Sequence, residues 1–583
     1  MSTEAPNHAA ANGSGCHGSC YSGLDPSRPF VAFSYVRCLP LRSTFAATAP
    51  RSAVAELGVV ISLSLHGNNL AARRVLIGWR NLRHFLSTHV HRQAEEYQKA
   101  VSRFAHRSWR ISIAVLSLAG IWVGIRILRA PDTLKLPERT PDRVVAEAAR
   151  DRSLPDHAPP PISGETNAIY HWPQWRGPLA TGVAPHADPP VEWSETRNIR
   201  WKIALPGKGH STPVVWGDRI FVTAAEPLGD ALPPKYSGAP GGHDEVPITH
   251  RQKFMVIAVD RRDGTIIWER TVREELPHQG GHRTASLASG SPVTDGERLF
   301  AYFGSWGLYC LDLNGGVLWQ TDLGQLNILH GHGEGASPAL YGDKLIVNWD
   351  HEGESFVVAF DKRTGRQLWK KPRDRASSWT TPIVVEHAGQ PQVIISGSER
   401  VRAYDLATGD VIWECGGLSV ENVVASPVAG HGMVFAGSTY DHPGMLAIRL
   451  DGAKGDITGT AQVAWRRRQG APYVPSPLFY GDSLYFMYHF QGMMTRVNAR
   501  TGEDEPGPFR LPGIYNVYAS PVAAAGRVYI TSREGVTIVL KDGAKPETIA
   551  QNKLDDHFSA SAALAGNEIF LRGEKHLYCI VEE

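Results

Sequence analysis

The stretch 258-AVDRRDGTIIWE-269 recurs as 359-AFDKRTGRQLWK-370 and 403-AYDLATGDVIWE-414, and in shortened form as 310-CLDLNGGVLWQ-320. A sentence repeated along a chain points to one supersecondary unit stacked on copies of itself, because a single such unit cannot bury its apolar face alone. Before each copy stands a Ser-Pro or Thr-Pro step and then, usually, a Gly followed by alternating apolar residues, as in 212-TPVVWGDRIFVTA-224, 291-SPVTDGERLFAYF-303 and 337-SPALYGDKLIVNW-349. Period-two alternation bounded by turn residues reads as strands. The series continues at 381, 426, 476, 520 and, degraded, at 561, which makes eight units spaced 41 to 50 residues apart after a longer first interval.

Each unit reads as four antiparallel strands, A to D, the grammar of a propeller blade. Asp260, Asp361 and Asp405 are placed to accept hydrogen bonds from the C-to-D turn, and Gly264, Gly365 and Gly409 supply the positive φ that the turn needs. Trp268, Trp369 and Trp413, with Trp319 in the shortened copy, are expected to bury their rings between neighbouring blades. The eighth unit stops at 576-HLYCIVEE-583 with no strand D. The missing strand is available in 199-IRWKIAL-205, which carries Trp201 where a strand D would place it. The expected fold is therefore all-β, an eight-bladed propeller over residues 191–583, closed by an N-terminal strand so that no edge is left open.

These AxDxxTGxxxW repeats, with their SPVV and GDRIF strands, resemble the quinoprotein (PQQ-type) eight-bladed β-propeller superfamily over roughly residues 191–583. The tract 172-WPQWRGP-178 is further similar to one found in bacterial PQQ-like propeller proteins of unknown activity. The superfamily divides into pyrroloquinoline-quinone dehydrogenases and non-enzymatic propellers, such as the lipoprotein scaffold of the outer-membrane β-barrel assembly machine. A dehydrogenase implies a tricarboxylate quinone, usually with Ca²⁺ on carboxylate and amide oxygens, an Asp base and, in the alcohol-oxidising branch, a vicinal disulfide. The six cysteines (Cys16, Cys20, Cys38, Cys310, Cys415, Cys579) include no vicinal pair, and no Glu, Asn and Asp align onto the calcium and base positions. No cofactor is expected, with PQQ and Ca²⁺ as the alternative.

Composition bounds the rest. Charged residues at 20% and hydrophobic ones at 42% suit a globular chain, and 60 basic against 58 acidic residues leave a net charge of +2, which excludes an electrostatic footprint for nucleic acid. Residues 1–108 read as a largely disordered or weakly helical N-terminal region on the cytoplasmic side. Residues 109–129, inside 109-WRISIAVLSLAGIWVGIRILRA-130, are long and apolar enough for an uncleaved transmembrane signal-anchor helix. Residues 130–190 form a Pro-rich linker that ends in the WPQWRGP docking tract, where two tryptophans in four residues carry too much apolar area for free solvent. The propeller is then expected outside the cytoplasm in a periplasm-like space, as a monomer.

The segments leading into strand A, together with the B-to-C turns, should share one rim of the funnel. They supply the candidate ligand-binding residues Arg283, His330, His332, Glu334, Asp350, Trp379, Asn422, Tyr473, Asn516 and His557. His330, His332 and Glu334 alternate on a segment read as extended, so they would point the same way; against a metal reading, the glycines of HGHGE suit a tight loop, and no metal site is assigned. The expected function is a binding or assembly scaffold for envelope proteins or a polar ligand. A quinone-dependent alcohol or sugar oxidoreductase is its rival, and a glycan-binding module a third reading.

Overall fold

The computed structural model describes residues 167–583 apart from 375, 441 and 488–491, together with a short antiparallel pair, Val59–Val60 against Leu76–Ile77. The expectations for 1–108, 109–129 and the linker up to 166 otherwise lie outside the described residues. Among those described, no helix is long and apolar enough to cross a membrane.

In the middle strands of several units the apolar residues do not alternate with polar ones. Phe254 to Val259 are all buried in the third strand of the first unit, as are Leu345 to Val347 and Phe356 to Phe360 in the second and third strands of the third unit. A strand buried on both faces belongs to a sheet covered on both sides, and here the cover is the neighbouring sheet. Eight blades result, each a four-stranded antiparallel sheet, to which blade 4 adds a short fifth strand: blade 1 (214–275), blade 2 (293–321), blade 3 (339–372), blade 4 (383–416), blade 5 (428–467), blade 6 (478–510), blade 7 (522–553) and blade 8. The inner strand of blade 8, Ala563–Ala565, lies beside that of blade 1, Val214–Trp216, so the blades form a ring.

Blade 8 is assembled from both ends of the described chain. Ile199–Ala204 pairs antiparallel with His576–Val581, with Trp201 opposite Cys579 and Ile203 opposite Leu577. The junction with blade 1 is clasped by charge: Glu568, nearly buried, accepts from Arg200 of the closing strand and from Arg261 of blade 1, the latter at 2.6 Å. Arg261 also donates to the Ala565 carbonyl.

The repeated sentence has a shared geometry at five junctions. The indole N–H of Trp201, Trp268, Trp319, Trp369 and Trp465 donates to the carbonyl of Arg261, Leu313, Lys362, Leu406 and Ala499, each in the next blade, at 2.8 to 3.0 Å. The ring lies against the turn glycine of that blade. At Gly264 (φ 79°) a Cβ would come within 2.9 Å of Trp201, and at Gly365 (φ 70°) within 2.7 Å of Trp319. Backbone conformation and ring contact thus both demand glycine. Asp260, Asp361 and Asp405 accept from turn amides two or three residues on.

Trp413 departs from this pattern. It is fully buried, but its N–H donates to Gln392 Oε1 in its own blade. The reason is local: blade 5 replaces the short turn with an excursion whose Gly455–Asp456 runs parallel beside Val411–Gly416. Blade 7 has no tryptophan in its outer strand. There Trp193, arriving from the N-terminal side, stacks on Tyr529, and its backbone N–H donates to Asn552.

The Ser-Pro steps build a belt around the axis. The backbone N–H of Thr212 donates to the Ser291 hydroxyl, Ser291 N–H to Ser337, and so on through Thr381, Ser426, Ser476 and Ser520 to Ser561, all at 2.8 to 3.0 Å. Each hydroxyl caps an amide that the innermost strand would otherwise leave unpaired.

Candidate functional site: a funnel floored by the N-terminal tract

The tract 172–184 crosses beneath the ring of inner strands. Trp172 bridges to Val215 of blade 1, the Pro173 carbonyl accepts from Thr294 of blade 2, and Ala184 donates to Ala523 of blade 7. Arg176, 3% exposed, reaches across and donates to the carbonyls of Pro477, Pro521 and Thr181. Burial without a carboxylate partner draws its pKa down to about 9. Gly182 (φ 88°) is required here, since a Cβ would sit 2.5 Å from the guanidinium.

Above this floor lies an axial cavity of about 700 Å³ to which every blade contributes. Trp175 of the tract lines it from below, and the belt hydroxyls of Ser291, Ser337, Thr381, Ser476, Ser520 and Ser561 ring it. Its wall has two arcs. Blades 1 to 3 present imidazoles: His243, His282 and His332 have ring centroids 4.9 to 6.1 Å apart, and His330 packs behind them, 5.3 Å from His332. Blades 4 to 7 present Trp379, Tyr440, Tyr473 and Tyr518, with Tyr440 and Tyr473 stacked at 6.4 Å.

Of the residues expected on the rim, Arg283, His332, Glu334, Trp379, Asn422, Tyr473 and Asn516 line this cavity. Three do not. Asp350 is buried in a network with Arg373 (2.7 Å), Ser378 (2.6 Å) and Asn348. The Nδ1 atoms of His557 and His330 bond the carbonyls of Arg533 and Pro240. The segment around HGHGE is not extended as expected: positive φ at His330 (57°), Gly331 (66°) and Gly333 (86°) breaks the alternation, so His330 turns outward and Glu334 inward. Glu334 accepts from the Ser305 N–H and hydroxyl at 2.8 and 2.6 Å, and desolvation pushes its pKa up to about 8. His332 moves the other way, down to about 4, through burial and its histidine neighbours.

Sequence reasoning missed Trp175, His210, His243, Asp244 and Arg533, all of which line the cavity, and placed the segments 439–444 and 515–520 on the rim without singling out Tyr440 and Tyr518, which line it too. The long interval in blade 1 was the available signal for His243: the insertion between Arg219–Leu228 and Arg251–Asp260 folds over the rim, held by Glu245–Val246 paired with Gly281–His282. His210 Nε2, His332 Nε2, Asn422 Nδ2 and Ser559 Oγ belong to lining residues and are buried without a partner. The wall's cations are matched, Arg283 by Asp244 at 3.6 Å and Arg533 by Glu574 at 3.5 Å.

This donor set does not fit a quinone held through Ca²⁺. Among the described residues no three His, Cys, Asp or Glu side chains are grouped to hold a metal ion, both guanidiniums available for quinone carboxylates already face acids, and Cys310, Cys415 and Cys579 are buried free thiols in separate blades.

The family described as outer membrane protein assembly factor BamB matches residues 252–457, and the resemblance to PQQ-type propellers holds there. No curated protein matches the chain. Similar solved structures include BamB from Moraxella catarrhalis (13% identity, TM-score 0.44, 66% of this chain and 99% of that one). Quinohemoprotein alcohol dehydrogenase from Comamonas testosteroni is similar at 10% identity and TM-score 0.48, over 71% of this chain and 81% of its own. A europium-containing methanol dehydrogenase is similar at 10% and 0.46, over 71% and 98%. At these values they bear on neither activity nor partner.

Proposed function

We propose that this propeller is a binding scaffold held outside the cytoplasm, which receives a polar ligand or a segment of an envelope partner in the mouth of its funnel. The observation that carries this reading is an axial cavity of about 700 Å³, floored by the chain's own N-terminal tract and lined from every blade by imidazole, aromatic and amide side chains. A concave site where a few polar groups converge among aromatic ones is the usual form of a ligand pocket. The apolar length of 109–129 and the description of the matching family as an outer-membrane assembly factor support the location.

Site-specific photocrosslinking in the native host tests it. A benzoylphenylalanine at Tyr440, on the mouth, should yield discrete adducts, whereas one at Asp343, in an A-to-B turn of blade 3, should not. Equal adducts from both positions, or none from Tyr440, would contradict the reading. The quinone-dependent alternative has its own check: saturable binding of pyrroloquinoline quinone with Ca²⁺, accompanied by dye-linked oxidation of an alcohol or sugar, would replace the scaffold.

A further inference from the structure

The two arcs of the funnel together specify a chemistry, given the reading of the funnel as a binding site. We infer that its ligand is a neutral oligosaccharide, its ring faces laid on the aromatic arc of Trp379, Tyr473 and Tyr518 above Trp175, its hydroxyls bonded by the imidazole arc and Asn422.

Three observations weigh against competing classes. An anionic ligand, phosphate or carboxylate, would have to compete with Asp244 for Arg283 and with Glu574 for Arg533, the guanidiniums of the lining. A peptide held through its backbone needs free main-chain groups at the throat, but the belt from Thr212 to Ser561 has used those amides on hydroxyls. A wholly apolar ligand would strip water from the polar part of the lining, to which the imidazoles, Asn422 and Asn516 belong, and return no hydrogen bond. A sugar ring carries both features the wall offers to meet: an apolar C–H face that lies on an aromatic ring, and equatorial hydroxyls that both donate and accept, as neutral imidazole and amide groups do. The cavity, at about 700 Å³, falls within the span of sites that enclose small organic ligands.

The experiment titrates the purified full chain with hexasaccharides of α-1,4-glucose, β-1,4-glucose, β-1,4-N-acetylglucosamine and β-1,4-xylose, and with a proline-rich decapeptide, by calorimetry. Saturable binding of at least one saccharide below ~10 mM is expected. Tyr473→Ala should weaken it at least about tenfold. Trp379→Ala, whose ring also packs on the core and donates to the Gly333 carbonyl, should weaken it by at least as much when measured well below its lowered melting temperature. If no saccharide saturates, if only the peptide binds, or if both variants bind like the parent, the inference falls. Crosslinking from Tyr440 that persists under those results would leave the scaffold reading standing with a different ligand.

Discussion

The two ends of the axial channel use similar residues to opposite effect. At the closed end Trp172, Gln174 and Arg176 are 0%, 6% and 3% exposed, and the three carbonyls that receive Arg176 come from two blades and the tract itself. At the open end Tyr440, which lines the cavity, is 46% exposed, and Trp379, Tyr473 and the imidazoles of His282 and His332 face the same cavity. Aromatic, amide and cationic side chains stand at both, and buried polar atoms without a partner occur at both, Trp172 Nε1 and Thr181 Oγ1 among them at the closed end; what differs is exposure. An end sealed by its own chain adds packing and hydrogen bonds to the fold, whereas an open end lined by aromatic and polar side chains leaves surface for a ligand.

The largest expected effect separates the tract from the strand that follows it. A chain beginning at Gly207 loses Ile199–Ala204 and exposes His576–Val581 as a free edge, so it should be insoluble or poorly folded. One beginning at Asn167 should fold, and one beginning at Val191, with the closing strand but no floor, should fold with a lower melting temperature. Equal solubility and melting of all three would show that neither closure nor floor acts as described.

Single substitutions come next. Trp201→Ala removes the ring wedged on Gly264 and should cost on the order of 3 to 5 kcal/mol in denaturant unfolding. Arg176→Ala strands three buried carbonyls and should cost at least about 3 kcal/mol. A loss within the error of extrapolation for Arg176→Ala would mean that Arg176 does not hold the closed end.

The pH response is smaller. The folded state holds the Glu334 proton up to about pH 8, against an ordinary value of 4.5, so the folded state binds more protons than the unfolded one across that window and stability falls as pH rises through it. Glu334→Gln, which keeps the neutral shape, should flatten that fall; an unchanged slope of unfolding free energy between pH 5 and 8 would place the proton elsewhere. Smallest of all, Tyr440→Ala at the open end should change stability by no more than about 0.5 kcal/mol, the usual range for an exposed site.

The ring was legible because its parts repeat: Asp260, Gly264 and Trp268 recur with fixed offsets, and each offset encodes a bond or contact that the structure contains. Trp201 could be assigned to blade 8 by counting strands alone. The funnel was less legible because its residues do not repeat. His330 and Glu334 were read as pointing one way, and three positive φ values, at His330, Gly331 and Gly333, turned them apart. Trp175 was read only as apolar area to be docked, since nothing in WPQWRGP says that one tryptophan is buried and its neighbour lines a cavity. Tyr440 and Tyr518 come to share a cavity wall with Trp379 only once the blades are arranged around an axis, a grouping the rim segments suggested but whose members no linear pattern picks out.

The central claim is that one N-terminal segment both closes the ring and floors the funnel. Amide hydrogen exchange of the full chain, followed in peptides covering 172–184 and 199–204, tests it most directly. Protection of both segments as high as that of the third strands of blades 1 to 7 is the expected result, because both are bonded to inner or edge strands whose release requires the ring to open. Exchange of either segment within seconds, while those third strands stay protected, would contradict it.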